Sequence, residues 1–400
     1  MRKRMKKVSA LILAASLLCS AFVLPEVYAA VGVKTDEKCS LQVNCNVQMQ
    51  IDKETAAATP YNPVYGELKT ETITVNLYKV ADIAVTGKYT VVPAFASLTD
   101  LENAAKINSE TSAATWQTLA AQAKAVVKTG TVSPTVSKDT AESGTVTFTD
   151  LATGMYLIDA QQLLTAEYRY EFTPYLISLP NNYFYSAEKN DAWDYDLIDN
   201  DASDEGYEGT TNHAVGLKPQ QFDRYGYLVI EKDLINYNET NPSAVFAYEV
   251  IAKKAGKDKS DVVFNDVVAI DFTNPGNDSV KVGPIKAGAE VTVTEVYQGA
   301  GYEQTKVVPE KSQIIVANTY WDECDTYKDA KVKSLDSLPV NDIAVTAQNK
   351  TFVKFLFENQ HNNVPNGGTG VVNTFTAGET WGVSQDYQGQ PGTQQSEPQQ

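Results

Sequence analysis

The sequence is poor in the residues that most enzyme sites need. It has two histidines, His213 and His361, among 400 residues, and both lie in polar stretches that are typical of loops. Two isolated histidines and a few cysteines do not make a typical zinc site. The sequence contains no P-loop, dinucleotide fingerprint or nucleophile elbow. We therefore expect no metal, no cofactor and no enzyme with turnover.

Positive charge is also scarce. The chain has 33 Lys and Arg against 50 Asp and Glu, which gives a net charge of −17, and its basic cluster lies at the extreme N-terminus. Binding to nucleic acid or to an anionic membrane needs a basic surface, so neither partner is expected. After the N-terminal segment, no stretch reaches the ~18 apolar residues that a membrane-spanning helix needs. We therefore predict no membrane span in the mature chain.

Residues 1–29 are typical of a secretory signal peptide, because a basic stretch precedes an apolar one and Val27-Tyr28-Ala29 offers a small-residue cleavage site. We therefore expect a secreted protein. Cleavage leaves three of the four cysteines, Cys39, Cys45 and Cys324. Either Cys39 and Cys45 close a small disulfide loop, as an oxidising compartment allows, or all three are free.

The chain has 22 tyrosines and frequent threonine and valine, and its apolar residues often alternate with polar ones, which is typical of β-strands. Short strands at this spacing favour β-sandwiches. We predict an all-β protein with two immunoglobulin-like or prealbumin-like β-sandwich domains in tandem, the first with a short helical insertion at 112–128. The predicted boundaries are 1–29 for the signal peptide, 36–198 for the first sandwich, 199–224 for an acidic linker, 225–365 for the second sandwich and 366–400 for a flexible tail.

Three polar residues of the second predicted domain, Lys232, Glu295 and Asn359, fall on strand faces that are otherwise apolar. Alternate side chains of a strand point to the same face. The apolar residues that share these faces are Leu228, Ile230 and Leu234 for the lysine, Val291 and Val293 for the glutamate, and Val353, Phe355 and Phe357 for the asparagine. All three polar side chains are thus expected in the core.

A lysine, a carboxyl and an asparagine in one apolar core have a specific chemistry. Burial disfavours the charged forms of amines and carboxylic acids. The neutral amine of Lys232 can attack the side-chain carbonyl carbon of Asn359, while protonated Glu295 polarises that carbonyl and passes a proton to the departing ammonia. We therefore predict an internal Lys–Asn isopeptide bond that forms once, with Glu295 as its catalytic group. The alternative is a buried salt bridge beside a polar asparagine.

Other residues leave alternatives open. Asn318 lies on an apolar face of its own and is a rival acceptor for Lys232. In the first domain, Lys79 also falls on an apolar strand face. A second cross-link there would use Asp159 or Asp150 as the acid and Asn181 as the acceptor, and the alternative is an ion-paired or snorkelling Lys79.

Several stretches of the sequence form a recognisable set. In the second domain they are Val291-Thr-Val-Thr-Glu-Val-Tyr-Gln-Gly-Ala-Gly-Tyr302 and Phe355-Leu-Phe-Glu-Asn359, which follow a lysine on a first strand; this pattern resembles the collagen-adhesin B-type domain. In the first domain they are Val75-Asn-Leu-Tyr-Lys-Val80, Gly144-Thr-Val-Thr-Phe148, Gly154-Met-Tyr-Leu-Ile158, Tyr175-Leu-Ile-Ser-Leu-Pro180 and Trp193-Asp-Tyr-Asp-Leu197. These resemble the N-terminal domain of Gram-positive shaft and minor pilins, and the two resemblances together cover roughly 36–365.

The resemblance implies a structural or adhesive protein of the cell wall or pilus of a Gram-positive bacterium, either a pilus-associated subunit or an adhesin stalk. Its implied partners are other pilus subunits or a host or extracellular-matrix ligand. The Pro-Lys that shaft pilins carry after the tryptophan motif is absent after Trp193, and the sequence shows no sorting signal, so sortase is a partner only if the chain continues. The alternative function is a carbohydrate-binding accessory module of a secreted enzyme.

Overall fold

The computed structural model describes residues 32–45, 49–51, 58–60, 65–106, 111–181, 193–198, 215–238, 243–254, 261–299, 301–322, 335, 338 and 352–362. The predicted signal peptide, the predicted tail, residues 199–214 with His213, and Cys324 lie outside the described residues. The chain divides into two compact units. The first comprises Met1–Leu163 and Tyr170–Gln221, and the second comprises Leu164–Arg169 and Phe222–Gln400.

The described strands before residue 225 range from two to ten residues in length. In chain order they are β1 (Cys39–Asn44), β2 (Met49–Ile51), β3 (Ala58–Pro60), β4 (Thr74–Ile83), β5 (Tyr89–Val91), β6 (Val136–Asp139), β7 (Thr145–Leu151), β8 (Gly154–Ala160), β9 (Leu163–Leu164), β10 (Tyr168–Phe172), β11 (Tyr175–Leu179), β12 (Asp196–Leu197), β13 (Val215–Gly216) and β14 (Pro219–Asp223). The helices of the first unit are α1 (Leu101–Ala104) and α2 (Ala113–Lys128), with single 3₁₀ turns at Gly66–Lys69 and Pro93–Phe95.

Two sheets organise the first unit. One has the order β11-β8-β4-β5, with β6 also pairing with β4, and all its pairs are antiparallel. In the other, β1 pairs with β7 in the antiparallel sense and with β12 and β13 in the parallel sense. The strands β2 and β3 form a separate antiparallel pair.

Helix α2 packs on the first of these sheets. Its N-cap, Ser112, accepts a hydrogen bond from the backbone N–H of Thr115 at 3.2 Å, which satisfies one of the free N–H groups of the first turn. The helix buries Leu119, Ala120 and Ala123, and Gly130 follows it at a φ of +74° that glycine adopts without strain. The helical insertion predicted at 112–128 is confirmed.

The second unit is a sandwich of two four-stranded sheets. Its strands are β15 (Tyr225–Leu234), β16 (Ala244–Lys254), β17 (Val262–Phe272), β18 (Gly276–Lys286), β19 (Ala289–Tyr297), β20 (Tyr302–Val308), β21 (Gln313–Ile314) and β22 (Val353–His361), with a 3₁₀ turn at Thr319–Trp321. The sheets have the orders β18-β15-β22-β20 and β17-β16-β19-β21. The described pairs are antiparallel except for β15 and β22, which are parallel.

Apolar side chains from the two sheets form the core of this unit. They include Leu228, Ile230, Phe246, Tyr248, Val250, Val291, Phe355 and Phe357. Each strand contributes alternate residues, as a pleated strand between a core and a second surface requires. Such burial of apolar area is the main force that holds the two sheets together.

The architecture confirms the predicted all-β class with two sandwich units and a helical insertion in the first. Three details differ from the prediction. The strands β13 and β14 fall inside the predicted linker. The strand β20 was not predicted, because the four consecutive residues 303–306 are polar and hide the alternation. A strand predicted over residues 313–318 ends at Ile314, and the chain then turns into the 3₁₀ turn at Thr319–Trp321.

Candidate functional site

Two adjacent strands of the second unit carry the predicted lysine and asparagine. In the parallel pairing of β15 with β22, Lys232 lies opposite Phe357 and Leu234 lies opposite Asn359. Positions 232 and 234 share one face of β15, so Lys232 and Asn359 are diagonal neighbours on the face that packs on the other sheet. Glu295 comes from β19 of that other sheet, and the sandwich brings all three together.

The three side chains contact one another through the carboxylate. Lys232 Nζ donates to Glu295 Oε1 at 2.6 Å. Asn359 Nδ2 donates to Glu295 Oε1 at 3.2 Å and to Oε2 at 3.0 Å. Lys232 and Asn359 are 0% exposed, and the Glu295 side chain is 2% exposed. One carboxylate oxygen therefore touches both the amine nitrogen and the amide nitrogen, out of contact with bulk water.

The surroundings of the lysine are apolar. Its Nζ lies 4.1 Å from the centroid of the Phe246 ring. Burial lowers the pKa of Lys232 from its ordinary value of 10.5 to about 8, while the hydrogen bond and the charge of Glu295 act in the opposite direction. A lowered pKa increases the fraction of neutral amine, which is the nucleophilic form.

Tyr248 is a fourth member of the site, and sequence reasoning missed it. It lies directly opposite Glu295 in the pairing of β16 with β19, beside a register shift after Ala247. Its hydroxyl donates to Glu295 Oε1 at 3.2 Å. Burial raises the pKa of Tyr248, and the nearby Glu295 adds to this. The signal in the sequence was weak, because a tyrosine between Phe246 and Val250 resembles an ordinary core residue.

Two further features border the site. Asn359 Oδ1 is buried and has no hydrogen-bond partner within the described residues. A half-turn of the amide about its terminal bond exchanges this oxygen with Nδ2 and would place it against the carboxyl group of Glu295. A cavity of about 300 Å³ also adjoins Glu295, with Val307, Phe355 and Phe357 among its lining residues.

Asn318, the rival acceptor, lies elsewhere. Its backbone N–H donates to the carbonyl oxygen of Tyr225 at 2.7 Å, and its side chain accepts from the N–H of Tyr320 at 2.9 Å. Tyr225 begins the strand on which Lys232 lies seven residues later, which is about 20 Å along an extended chain. The alternation on which the Asn318 alternative depended does not continue, because β21 ends at Ile314. The structure therefore separates Asn318 from Lys232.

The structure does not bring the predicted residues of the first unit together either. Lys79 lies opposite Tyr156 and Asn76 opposite Asp159 in the pairing of β4 with β8, so Lys79 and Asp159 are on opposite faces of the sheet.

Each of these two groups has another partner. Lys79 forms an ion pair with Asp82 at 2.5 Å, and Asp159 forms one with Lys124 of α2 at 2.5 Å. Asp150, the other acid considered, is an exposed residue with a φ of 60°. Asn181 pairs through its backbone with Asp194. An ion-paired Lys79, the alternative interpretation, agrees with these contacts.

The two described cysteines are buried and free. Cys39 begins β1 and Cys45 follows its last residue, so about 20 Å of extended chain separates them. A disulfide needs Cα atoms within about 7 Å, and a Cys39–Cys45 bridge is therefore incompatible with the fold. Burial raises the pKa of Cys39 to about 12 and that of Cys45 to about 11, which favours unreactive thiols.

Within the described ranges, no group of three or more His, Cys, Asp or Glu side chains is arranged to hold a metal ion. None of the helices in the described part of the chain combines the length and apolarity of a membrane span.

No protein-family model and no curated protein matches the chain. Solved structures that match it include pilins of Gram-positive bacteria. A streptococcal ancillary pilin is 10% identical, with 82% of this chain and 63% of the pilin covered and a TM-score of 0.20. The minor pilin of Streptococcus agalactiae is 12% identical, with coverages of 83% and 99% and a TM-score of 0.19. The major pilin SpaD of Corynebacterium diphtheriae is 12% identical, with coverages of 66% and 64% and a TM-score of 0.26.

Proposed function

We propose that the chain is a structural or adhesive surface protein of a Gram-positive bacterium, a pilus-associated subunit or an adhesin stalk. In this proposal, an isopeptide bond between Lys232 and Asn359 stabilises its second unit. The observation that carries the proposal is the contact of Glu295 Oε1 with both Lys232 Nζ and Asn359 Nδ2 in a core where Lys232 and Asn359 are 0% exposed. The motif resemblance of both domains to pilins and adhesins supports the surface role.

The reaction balances without a cofactor. Lys232 gives a proton to Glu295, and the neutral amine attacks Cγ of Asn359 to form the new C–N bond. As this bond forms, Glu295 transfers its proton to the leaving nitrogen and takes up the second proton of the amine, so it ends protonated. The bond between Cγ and Nδ2 then breaks and ammonia leaves. The products are one secondary amide and one ammonia, and the cavity beside Glu295 gives ammonia a route outward.

The half-turn of the Asn359 amide belongs to this sequence. In the rotated orientation, protonated Glu295 donates to Asn359 Oδ1 and withdraws electron density from Cγ before the amine attacks. The buried oxygen, which has no partner in the orientation described, then gains one, while Nδ2 takes the position without a partner. After the attack, the reverse rotation returns the leaving nitrogen to Glu295, which donates the proton that it needs.

The position of the bond explains how it would serve a load-bearing protein. Lys232 lies near the end of β15, the first long strand of the second unit, and Asn359 lies near the end of β22, the last described strand. Tension that enters at Tyr225 would pass along β15 to Lys232, through the bond to Asn359 and out along β22. Residues 233–358 would then carry none of it. A permanent bond in this load path suits a protein under tension and would serve no purpose in an enzyme that must turn over.

Intact mass of the purified mature protein tests the bond. We expect a deficit of about 17 Da, the mass of one ammonia, and a tryptic fragment in which the peptides of Lys232 and Asn359 are joined. Lys232→Met should restore the full mass after correction for the substitution. Lys79→Met is the matched lysine control and Asn318→Ala the matched acceptor control, and both should keep the deficit. A full mass for the wild-type protein, or a deficit that survives Lys232→Met, would refute the cross-link.

The surface role has its own test. Antibodies against the second unit should label the cell wall or pili of the producing bacterium in immunogold electron microscopy. They should also detect the protein in the wall fraction. Recovery of the protein only from the cell interior would contradict the proposal, whatever the outcome of the mass measurement.

A further inference from the structure

We propose that Tyr248 is a positioning residue for the cross-linking reaction, and that its hydroxyl holds Glu295 Oε1 at the point where this oxygen meets both reacting nitrogens. This inference rests on the proposed function. It adds to the Lys–Glu–Asn set a fourth side chain that makes no bond to the reacting atoms and acts through the carboxylate.

The register of the sheet sets this contact. Tyr248 and Glu295 are directly opposed across β16 and β19, next to the register shift that follows Ala247. Such irregularities re-aim side chains and are frequent beside active sites. The Tyr248 ring is 0% exposed and packs at a tilt against Phe357, with the ring centroids 4.9 Å apart. The ring is therefore held from two strands, and its hydroxyl has a fixed direction.

The carboxylate needs such a support. The terminal torsion of a glutamate has broad preferences, so its two oxygens are not placed by the backbone alone. Oε1 accepts from Lys232 Nζ, Asn359 Nδ2 and the Tyr248 hydroxyl, while Oε2 accepts from Asn359 Nδ2. The first two donors change during the reaction, because one nitrogen becomes bonded to carbon and the other leaves. Tyr248 is the donor that stays constant.

The hydroxyl also affects the proton balance of the site. The groups that face Glu295 are Lys232 from β15, Asn359 from β22 and Tyr248 from β16, and Glu310 and Lys311 line the adjoining cavity. A hydrogen bond to an ionised carboxylate favours the ionised form. Loss of the hydroxyl therefore removes one interaction that favours the carboxylate, the form that takes the proton from Lys232. As the pH is lowered, the rate of cross-linking should then fall at a higher pH than in the wild type. The reason is that Lys232 has no neutral amine when both it and Glu295 carry a proton.

The test compares Tyr248→Phe with the wild type and with Tyr237→Phe. The control removes a buried hydroxyl that has no hydrogen-bond partner in the described part of the chain. Each mature chain is made by brief cell-free translation and moved into buffers of different pH, and the loss of about 17 Da is followed over time by intact mass. Circular dichroism checks that each variant is folded.

We expect Tyr248→Phe to react about tenfold more slowly, as the loss of one hydrogen bond to a charged group predicts, and its acid-side half-point to move to higher pH. Tyr237→Phe should follow the wild type. If Tyr248→Phe matches the wild type in rate and pH profile, the positioning role is wrong while the cross-link stands. A slower rate with an unchanged profile would show that the hydroxyl only supports the fold. If the wild type loses no ammonia at any pH, the proposed function itself fails.

Discussion

The proposed bond between Lys232 and Asn359 should contribute strongly to the stability of the second unit. It would join residues 232 and 359 and so close a loop of about 130 residues in the unfolded chain. A cross-link around a loop of this length lowers the entropy of the unfolded state by an amount worth about 5 kcal/mol at 25 °C. For a unit of this size, about 5 kcal/mol corresponds to about 15 °C in melting temperature.

The perturbation that isolates this contribution is the double substitution Lys232→Met and Glu295→Gln. It removes the nucleophile and the acid, keeps the side-chain volumes similar and leaves no buried charge. Glu295→Gln alone is the comparison, because it also abolishes the bond but leaves Lys232 in the core without a carboxylate. Removal of one member of a buried pair costs about 3 kcal/mol or more, so the single variant should be the less stable of the two.

Differential scanning calorimetry measures the melting temperatures, and intact mass confirms which proteins carry the bond. We expect the transition of the second unit to fall by about 15 °C in the double variant and further in the single one. If the double variant has its full mass yet melts within about 3 °C of the wild type, the loop-entropy reasoning is wrong. If the double variant is less stable than the single one, the electrostatic reasoning is wrong.

Two further predictions concern charge. The variant Asn359→Ala lacks the acceptor, so Lys232 stays a free amine. The pKa of Lys232, about 8, lies below the ordinary value of 10.5. The unfolded state then binds more protons between these pH values, so denaturant titrations should show stability rising from pH 8 to 10.5 by up to about 3 kcal/mol, and the added substitution Lys232→Met should remove the rise. In the first unit, Lys124→Met should cost about 3 kcal/mol because it leaves Asp159, a side chain 5% exposed, without its cation. Lys79→Met should cost less than about 1 kcal/mol because its partner is exposed, and urea unfolding of both variants compares them.

The contacts of Lys232, Glu295 and Asn359 follow from counting within single strands. Each strand is regular over the residues that matter, so period two places each polar side chain on the core face. In a sandwich of this size, each side chain on the inner face of a sheet has few neighbours. The three polar groups meet because burying each of them without a hydrogen-bond partner would be costly. The prediction of the site residues depended on this alternation within each strand, and in β19 the register shift against β16 begins only after Glu295.

The same counting gave a different result for Lys79 and Asn318. Alternation along β4 puts Lys79 on an apolar face, but it does not say which face of the sheet a residue of β8 shares, since that depends on the register between the strands. For Asn318, alternation was carried past Ile314, where the strand has already ended. Tyr248 was missed because it reaches the site through its pairing with Glu295 on the neighbouring strand. The sequence of a single strand does not show which residue lies opposite on its neighbour.

The energetics of the site before and after reaction give a reason for it to react. Before reaction, the core holds an ammonium–carboxylate pair and an amide oxygen without a partner, and buried pairs of this kind seldom stabilise a fold relative to apolar residues. After reaction, the amine and the amide are one neutral group and Glu295 can remain protonated as its hydrogen-bond donor. The charges are gone and one ammonia has left for solvent. Lys232 and Asn359 are 0% exposed, so the bond would be shielded from bulk water and its hydrolysis would be slow. In the proposed reaction, folding thus assembles an arrangement that is poor as an ion pair and good as a reactant, and bond formation would remove the cost that folding imposed.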